Sequence, residues 1–249
     1  MKKENLVDFI SKFYLQGVLT KDSSGDWYPV EVVVLDKVAK VTVKTSDTSV
    51  LCVVDRNLEL EDGTFVIGNV KQFLSMVQAF GQDLNVELKM DRQSYNNIMR
   101  LKDDSLEATV ALADPQVIEN RPNLNKTPDP DIEFSLKKDF IERFIKAKKA
   151  LNDSKFFAVF PDSMNNLVEF IINYSLDQNT NNIKVTNKEV TITNEFEPLF
   201  FDANNFTAIL QENSDFRSGT ISVSNKGLMI MNFKGEDWES NYYLKAYQN

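Results

Sequence analysis

The sequence predicts an α+β protein of two similar domains, each with antiparallel sheets and two helices. Two repeated patterns support this prediction. Residues 8–14 read Asp-Phe-Ile-Ser-Lys-Phe-Tyr, and residues 139–145 read Asp-Phe-Ile-Glu-Arg-Phe-Ile, at an offset of 131. The pattern of residues 69–78 returns at 202–211, at an offset of 133. Two repeats at nearly the same spacing indicate that one structural unit occurs twice.

The composition fits two globular domains in a reducing compartment. The chain has 249 residues, of which 42% are hydrophobic and 18 are Phe, so each half can bury a core. Cys52 is the single cysteine, which rules out an intrachain disulfide. No apolar run is long enough to span a bilayer, and the N-terminus lacks a signal-peptide core. We therefore expect a cytoplasmic protein, in the host cytoplasm if the protein is viral.

Several kinds of catalysis are excluded by missing residues. The chain has no His, which removes Ser-His-Asp and Cys-His catalysis and His-containing zinc sites. Neither phosphate-binding pattern, G-x-x-x-x-G-K-[ST] or G-x-G-x-x-G, occurs. Only carboxylates, Lys and Tyr remain for acid–base work. The sequence favours a protein that is not an enzyme and that binds no cofactor or metal.

Apolar periodicity divides residues 1–113 into two helices and a series of strands. Leu6, Phe9, Ile10 and Phe13 have the i, i+3, i+4, i+7 spacing of an amphipathic helix over 4–16, and a second helix is predicted at 69–80. The Val- and Thr-rich segments alternate apolar with polar residues, as half-buried strands do. The predicted strands lie at 30–35, 39–45, 50–54, 64–67, 84–90, 95–101 and 106–113.

Residues 114–131 differ from both flanking regions. Four of the seven prolines lie there, and proline interrupts both helices and central strands. We predict domains at 1–113 and 132–249, joined by an extended connector at 114–131. The second domain repeats the order of elements. Its helices are predicted at 137–151 and 203–213, and its strands at 132–136, 155–160, 166–175, 182–187, 189–195, 198–201, 218–224, 228–233 and 241–247.

Positive charge is concentrated on the predicted helices. The net charge of −9 by itself argues against nucleic-acid binding. Residues 135–151, however, hold six Lys or Arg and two acidic residues. At 100° per residue the apolar face of this helix lies opposite Lys138, Arg143, Lys146 and Lys149. These cations would attract a phosphate backbone without reading bases. The alternative is an ordinary solvated Lys-rich face.

Taken together, these patterns resemble the sliding clamps of DNA replication, most closely the trimeric phage type. The resemblance is carried by the paired Asp-Phe-Ile-x-[Lys/Arg]-Phe helices and by the paired strand–helix units that contain Phe73-Leu-Ser-Met-Val-Gln and Phe206-Thr-Ala-Ile-Leu-Gln. The Pro-rich connector and the closing Tyr242-Tyr-Leu-Lys-Ala-Tyr also fit. The resemblance covers the whole chain. A first strand expected before the first helix is short or missing.

The resemblance implies a closed homotrimeric ring of six domains, with helices lining the hole and sheets outside. Such a ring encircles duplex DNA, slides on it and tethers the replicative polymerase, so it confers processivity without chemistry of its own. Its partners are duplex DNA, the polymerase, a clamp loader and other copies of the chain, with no membrane. The implied DNA contacts are Lys138, Arg143, Lys146 and Lys149, with Lys3, Lys12 and Lys71 from the first two helices.

The resemblance also implies a partner pocket and subunit contacts. Clamps bind partner peptides in an apolar pocket near the connector. The candidate residues are Val117, Ile118, Leu124, Tyr243 and Leu244. Alternatively, these residues only hold the connector in place. Subunits of clamps meet edge strand to edge strand, and the candidate edges are 106–113 and 182–194. An uncovered edge strand would otherwise promote aggregation.

Two other functions compete with the clamp. A metal-dependent hydrolase would use hard-ion ligands from the acidic clusters Asp103-Asp104, Asp129-x-Asp131 and Glu59-x-Glu61-Asp62. These clusters lie in predicted loops, where acidic residues are usually solvated. A phage structural or assembly protein with duplicated β-rich domains would explain the repeat. It would not explain why cations gather on the helices.

Overall fold

The chain forms two structural units in the computed structural model, which describes residues 1–20, 28–89, 97–118, 126–175 and 180–247. Unit 1 comprises Met1–Asp47, Leu51–Asn123 and Asp237–Ser240. Unit 2 comprises Thr48–Val50, Leu124–Glu236 and Asn241–Asn249. Both units combine helices with antiparallel strands, so the predicted α+β class is confirmed.

In its described residues, unit 1 contains two α-helices and two antiparallel groups of strands. The elements are α1 Lys3–Tyr14, β1 Val30–Leu35, β2 Val38–Lys44, β3 Val50–Asn57, β4 Gly63–Ile67, α2 Val70–Gln78, β5 Asn85–Lys89, β6 Ile98–Lys102 and β7 Glu107–Ala111. One group has the order β4-β1-β2-β3 and the other the order β5-β6-β7. In the first group Val32 lies opposite Val41 on β2 and Phe65 on β4.

Unit 2 repeats this organisation with additional strands. The elements are β8 Ile132–Ser135, α3 Lys138–Ala150, β9 Phe156–Asp162, β10 Leu167–Ile172, β11 Ile183–Asn187, β12 Thr191–Ile192, β13 Leu199–Asp202, α4 Ala203–Glu212, β14 Ser218–Ser224, β15 Leu228–Lys234 and β16 Trp238–Lys245. The strand orders are β12-β8-β14-β15-β16 and β11-β10-β9-β13. Strand β16 contributes its first three residues to unit 1 and the rest to unit 2.

The core of unit 2 is an aromatic cluster beneath the two helices. The Phe144 ring of α3 lies 4.7 Å from the Phe206 ring of α4, and Phe157 of β9 lies 4.8 Å from Phe206. Phe170 of β10 completes the cluster, and its ring is stacked on that of Phe157. Edge-to-face and offset pairs of this kind add stability beyond the burial of apolar area.

The repeated sequence patterns place equivalent residues in equivalent elements. Phe9 of α1 and Phe140 of α3 are both buried, as are Phe73 of α2 and Phe206 of α4. The N-cap residues correspond as well, because Asn69 accepts a hydrogen bond from the backbone of α2 and Asp202 accepts two from α4. The expectation of a short or missing first strand agrees with an isolated bridge, which pairs Lys2 with Asp83 ahead of α1.

The structure corrects two predicted strands and the description of the connector. The strand predicted at 189–195 is limited to Thr191–Ile192. The last strand begins at Trp238 instead of residue 241, because Trp238 and Ser240 continue its alternating burial. In the predicted connector, Pro115–Val117 forms a single 3-10 turn capped by Asp114, and residues 119–125 lie outside the described part. No described helix is long and apolar enough to cross a membrane.

Candidate nucleic-acid interface

Helix α3 presents the cationic face that the sequence predicted. Phe140, Ile141 and Phe144 are buried beneath it. On the opposite side Lys138, Arg143, Lys146 and Lys149 are exposed. The helix has 13 residues and its last turn carries Lys148 and Lys149, which suits the negative end of the helix dipole. The separation of the two faces follows from the 3.6-residue period of the helix.

The four exposed cations of α3 divide into two pairs with different surroundings. Arg143 Nε lies 3.0 Å from Asp139, and Lys146 Nζ lies 3.4 Å from Glu142, in i,i+4 ion pairs that are largely exposed. Among the described residues, no carboxylate lies within ion-pair distance of Lys138 or Lys149. Exposed ion pairs contribute little to stability, but they offset charge locally. Lys138 and Lys149 therefore carry most of the uncompensated positive charge of this face.

The remaining helices contribute less positive charge than α3. Lys71 on α2 is exposed beside Gln72 and Ser75. Helix α4 has no Lys or Arg, and its exposed residue Asn204 is neutral.

Lys148 of α3 is buried, and its ammonium donates a hydrogen bond of 2.7 Å to the Asn152 carbonyl. Lys148 therefore does not belong to the exposed cationic face.

Lys12 was wrongly predicted to contact DNA. It is fully buried in unit 1. Its ammonium lies 2.7 Å from the Asp8 carboxylate and 3.9 Å from the centre of the Trp238 ring. Arg56 of β3 is also buried and pairs with Asp8 and Asp237. A cation enclosed by a carboxylate and an aromatic ring has a structural role.

The Lys3 side chain also makes its contacts within unit 1. It is half-buried, and its ammonium donates to the Phe80 carbonyl at 2.7 Å. Its neighbour Lys2 pairs with Asp83, and this hydrogen bond raises the pKa of Lys2 and lowers that of Asp83. Helix α1 therefore offers little free positive charge. The sequence analysis did not select Arg56. Its burial could have been predicted, because every second residue of β3, from Val50 through Cys52 and Val54 to Arg56, lies on the same buried face.

The predicted partner residues fall in different environments. Val117 is exposed and Ile118 is half-buried, and both line a cavity of about 500 Å³ in unit 1. The other lining residues come from β1, β2 and the segments next to them: Tyr28, Pro29, Val30, Glu31, Val33, Lys40, Thr42, Val43, Lys44, Thr45 and Ser46. Tyr243 is half-buried in unit 2. Leu244 is 1% exposed and belongs to the core, which rules out direct contact with a partner. Leu124 lies outside the described residues.

Two residues of the acidic clusters serve local structure. Asp103 accepts hydrogen bonds from the backbone N–H groups of Gly81, Ser105 and Leu106, which lower its pKa to about 2. Asp131 is buried and accepts from Asn194 and from the backbone of Asn225. Among the residues that the structure describes, no three His, Cys, Asp or Glu converge on a common point. This geometry gives the hydrolase hypothesis no support.

Comparison with solved structures identifies the fold. No protein-family model matches the chain, and no curated protein matches it in sequence. A structure of the C-terminal region of FEN-1 bound to the proliferating cell nuclear antigen (PCNA) of A. fulgidus superposes with a TM-score of 0.74 at 16% identity, covering 100% of this chain and 97% of that one. The chain has the PCNA sliding-clamp fold. The fold that the resemblance implied is therefore confirmed.

Two further structures show the same likeness to the clamp fold. PCNA from Entamoeba histolytica superposes with a TM-score of 0.72 at 13% identity, covering 99% of this chain and 96% of that one. The PCNA2-PCNA3 complex from Sulfolobus tokodaii gives a TM-score of 0.69 at 8% identity, with 97% and 96% covered. The clamp fold thus extends over nearly the whole chain. The closer resemblance to the phage type stays a prediction.

Proposed function

We propose that this protein is a sliding clamp, a closed ring of three chains that encircles duplex DNA and holds a replicative DNA polymerase on its template. The observation that carries the proposal is the likeness to PCNA over 100% of this chain and 97% of the matched one. The cationic face of α3, in a chain of net charge −9, supports it independently. Two units per chain and three chains per ring give six units around the hole.

Lys138 and Lys149 are the main contacts to DNA in this proposal, with Lys71 of α2 as a further contact. All three are exposed. Ammonium groups attract phosphates by long-range Coulomb forces and do not distinguish base pairs. Contacts of this kind let a ring move along the duplex. Arg143 and Lys146 contribute less to DNA binding because Asp139 and Glu142 offset their charge.

The clamp acts by tethering and performs no bond chemistry. A polymerase attached to a ring that cannot leave the duplex stays near its template at a high effective concentration. A closed ring requires a loader that opens it, and the proposal therefore includes a clamp loader as a partner. Self-association, DNA, polymerase and loader together account for the partners that the resemblance implied.

Encirclement predicts that binding depends on the order in which the ends of the DNA are closed. Bulky streptavidin caps are attached to both biotinylated ends of a linear duplex after the protein is added. We then expect the protein to stay bound to the DNA through a high-salt wash. When the caps are attached first, the protein should be washed away. A topological link is insensitive to salt, whereas phosphate contacts are screened. Equal retention in both orders, or loss in both, would contradict a ring threaded by DNA.

The cavity beside Val117 and Ile118 is the proposed site for an apolar segment of the polymerase. Its volume of about 500 Å³ lies in the range of ligand pockets. The neighbour from A. fulgidus is bound to the C-terminal region of FEN-1, which supports a peptide partner here. Tyr243 is a secondary candidate because it is half-buried.

Replacing Val117 with Asp is expected to weaken binding of the cognate replicative polymerase by about tenfold or more, because it places a charge in an apolar contact. Binding is measured by retention of the polymerase on immobilised protein. Leu35→Asp is the matched control, since Leu35 is 66% exposed in the same unit and does not line the cavity. If both variants retain the polymerase as the unmodified chain does, the cavity is not the polymerase site.

A further inference from the structure

The hairpin turn between β1 and β2 in unit 1 exposes adjoining apolar side chains. Leu35 is 66% exposed, and Val38, which lies directly opposite it on β2, is 39% exposed. Val33 lies two residues before Leu35 on the same face of β1 and is 41% exposed. Asp36 and Lys37 form the turn, both with positive φ, as tight two-residue hairpins require. Adjoining exposed apolar side chains indicate an interaction site more strongly than scattered ones do.

Carboxylates lie around this turn. The loop between β3 and β4 runs beside it, because Lys37 N–H donates to the Asp62 side chain at 3.3 Å and Leu58 N–H donates to the Lys37 carbonyl at 3.0 Å. Four acidic residues of the turn and the loop are exposed: Asp36, Glu59, Glu61 and Asp62. Within the described part of the chain, no cation lies within ion-pair distance of these four. Nearby Lys40 is offset by Asp55 at 3.5 Å, so Lys37 stands against four uncompensated negative charges.

Unit 2 repeats this arrangement at the turn between β9 and β10. Met164 in this turn is 96% exposed. The loop between β12 and β13 contacts the turn, because the hydroxyl and the backbone N–H of Ser163 both donate to the Glu195 carboxylate. These bonds lower the pKa of Glu195, and hydrogen bonds from Asn165 lower the pKa of Asp162. Ionised carboxylates therefore adjoin the exposed methionine.

The two loops beside the turns share a sequence pattern. Residues 59–61 read Glu-Leu-Glu, and residues 195–197 read Glu-Phe-Glu, at an offset of 136. Both glutamates of each loop are exposed. In each unit a carboxylate of the loop accepts a hydrogen bond from the backbone of the turn, through Asp62 in unit 1 and through Glu195 in unit 2. The same combination of an exposed apolar residue and carboxylates thus occurs twice in one chain.

We infer that each of these two turns binds a segment of a partner protein in which an apolar side chain is flanked by lysines or arginines. The apolar side chain packs on Leu35 in unit 1 or on Met164 in unit 2, and its cationic neighbours face the glutamates of the adjoining loop. Charge complementarity favours a cationic segment over an acidic one and speeds its association. The inference goes beyond the proposed function, because neither Leu35 nor Met164 lines the cavity assigned to the polymerase.

Titration of a labelled peptide tests the contact with the two apolar side chains. The probe is a fluorescein-labelled glycine-serine peptide with one leucine between lysines, and fluorescence anisotropy follows its binding at low salt without DNA. We expect two sites per chain. Leu35→Ser and Met164→Ser should each remove one site, and the double variant should raise the dissociation constant by about tenfold or more. Both side chains are exposed, so folding should be unaffected. Val117→Ser is the matched control, because Val117 is 49% exposed but lies at the cavity.

The glutamates are tested in the Met164→Ser chain, in which the turn of unit 1 is the remaining site. Glu59→Gln with Glu61→Gln should weaken binding of the peptide by about fivefold. Glu4→Gln with Glu87→Gln is the control, since it removes the same charge from exposed residues elsewhere in unit 1. This control should bind like the Met164→Ser chain. A peptide with glutamates in place of its lysines should not bind the unmodified chain.

Three results would overturn the inference. The unmodified chain may fail to bind the lysine peptide, or the double serine variant may bind it equally well. Equal weakening by the two glutamine pairs would show that the peptide responds only to the net negative charge of the chain. The ring and its polymerase cavity stay untouched by each of these results, because both depend on other residues.

Discussion

Replacing Asp8 with Ala is expected to destabilise unit 1 by about 3–5 kcal/mol. Asp8 holds two buried cations, Lys12 on its own helix and Arg56 on β3. Removing the carboxylate takes one ion-pair partner from each of two buried cations, and Arg56 then keeps the longer pair with Asp237. The cost of an uncompensated buried charge is much larger than the net contribution of the intact pair. The effect should therefore be among the largest of any single substitution in unit 1.

The repeat supplies the control for this experiment. Asp139 occupies the position on α3 that Asp8 occupies on α1, and its pair with Arg143 is about two-thirds exposed on both sides. Asp139→Ala should cost less than about 1 kcal/mol. Urea unfolding followed by far-UV circular dichroism checks both variants, because each unit contains α-helices. Equal losses of stability in Asp8→Ala and Asp139→Ala would show that the buried network does not stabilise unit 1.

The same comparison explains why Lys12 was assigned wrongly. The Asp-x-x-x-cation pattern is identical in the two helices, and the helical period predicts an i,i+4 pair in both. What differs is the tertiary surroundings. Trp238 lies against Lys12, and Arg56 shares the Asp8 carboxylate with it, and both come from strands far away in sequence. The Arg143 side chain, in contrast, is 66% exposed. A local repeat cannot predict which copy is buried, because burial depends on contacts that are distant along the chain.

Periodicity predicted the elements well wherever one face is buried. Strand β14 lies at the predicted residues, 218–224, and the apolar spacing of α1 corresponds to its buried face. Prediction was less successful where the geometry of a turn decides where a strand begins. Only two residues of the strand predicted at 189–195 are paired, after a turn in which Glu189 N–H donates to the Asn187 side chain. The alternating burial along β16 also places Leu244 in the core. The prediction that Leu244 contacts a partner did not take this alternation into account.

The candidate site was only partly predictable for a related reason. The helical period separates the cations of α3 from its buried face, so the exposure of Lys138 and Lys149 follows from sequence. The sequence does not show that β11 packs beside α3 and forms a cleft with Arg143 and Lys146. That contact joins segments separated by about forty residues, and strand order in an antiparallel sheet is not encoded by local pattern.

Changing Lys138 and Lys149 together to Glu is expected to abolish most of the DNA affinity of the proposed ring. The dependence of the binding constant on salt should become shallower by about two per chain, because each lysine that contacts phosphate contributes about one to that slope. Stability should be nearly unchanged, since both side chains are exposed. Binding to a linear duplex over a range of salt concentrations, together with the length of DNA made per polymerase encounter, measures the effect.

The design separates contact with DNA from general loss of positive charge. Lys155→Glu with Lys245→Glu changes the net charge equally but lies off helix α3, so its affinity and product length should stay close to those of the unmodified chain. Analytical ultracentrifugation shows whether each variant still assembles. The Lys138 and Lys149 variant should stay assembled and still bind poorly. An assembled ring that keeps full processivity after this change would place the DNA on another surface, and the charge pattern of α3 would then have no part in binding DNA.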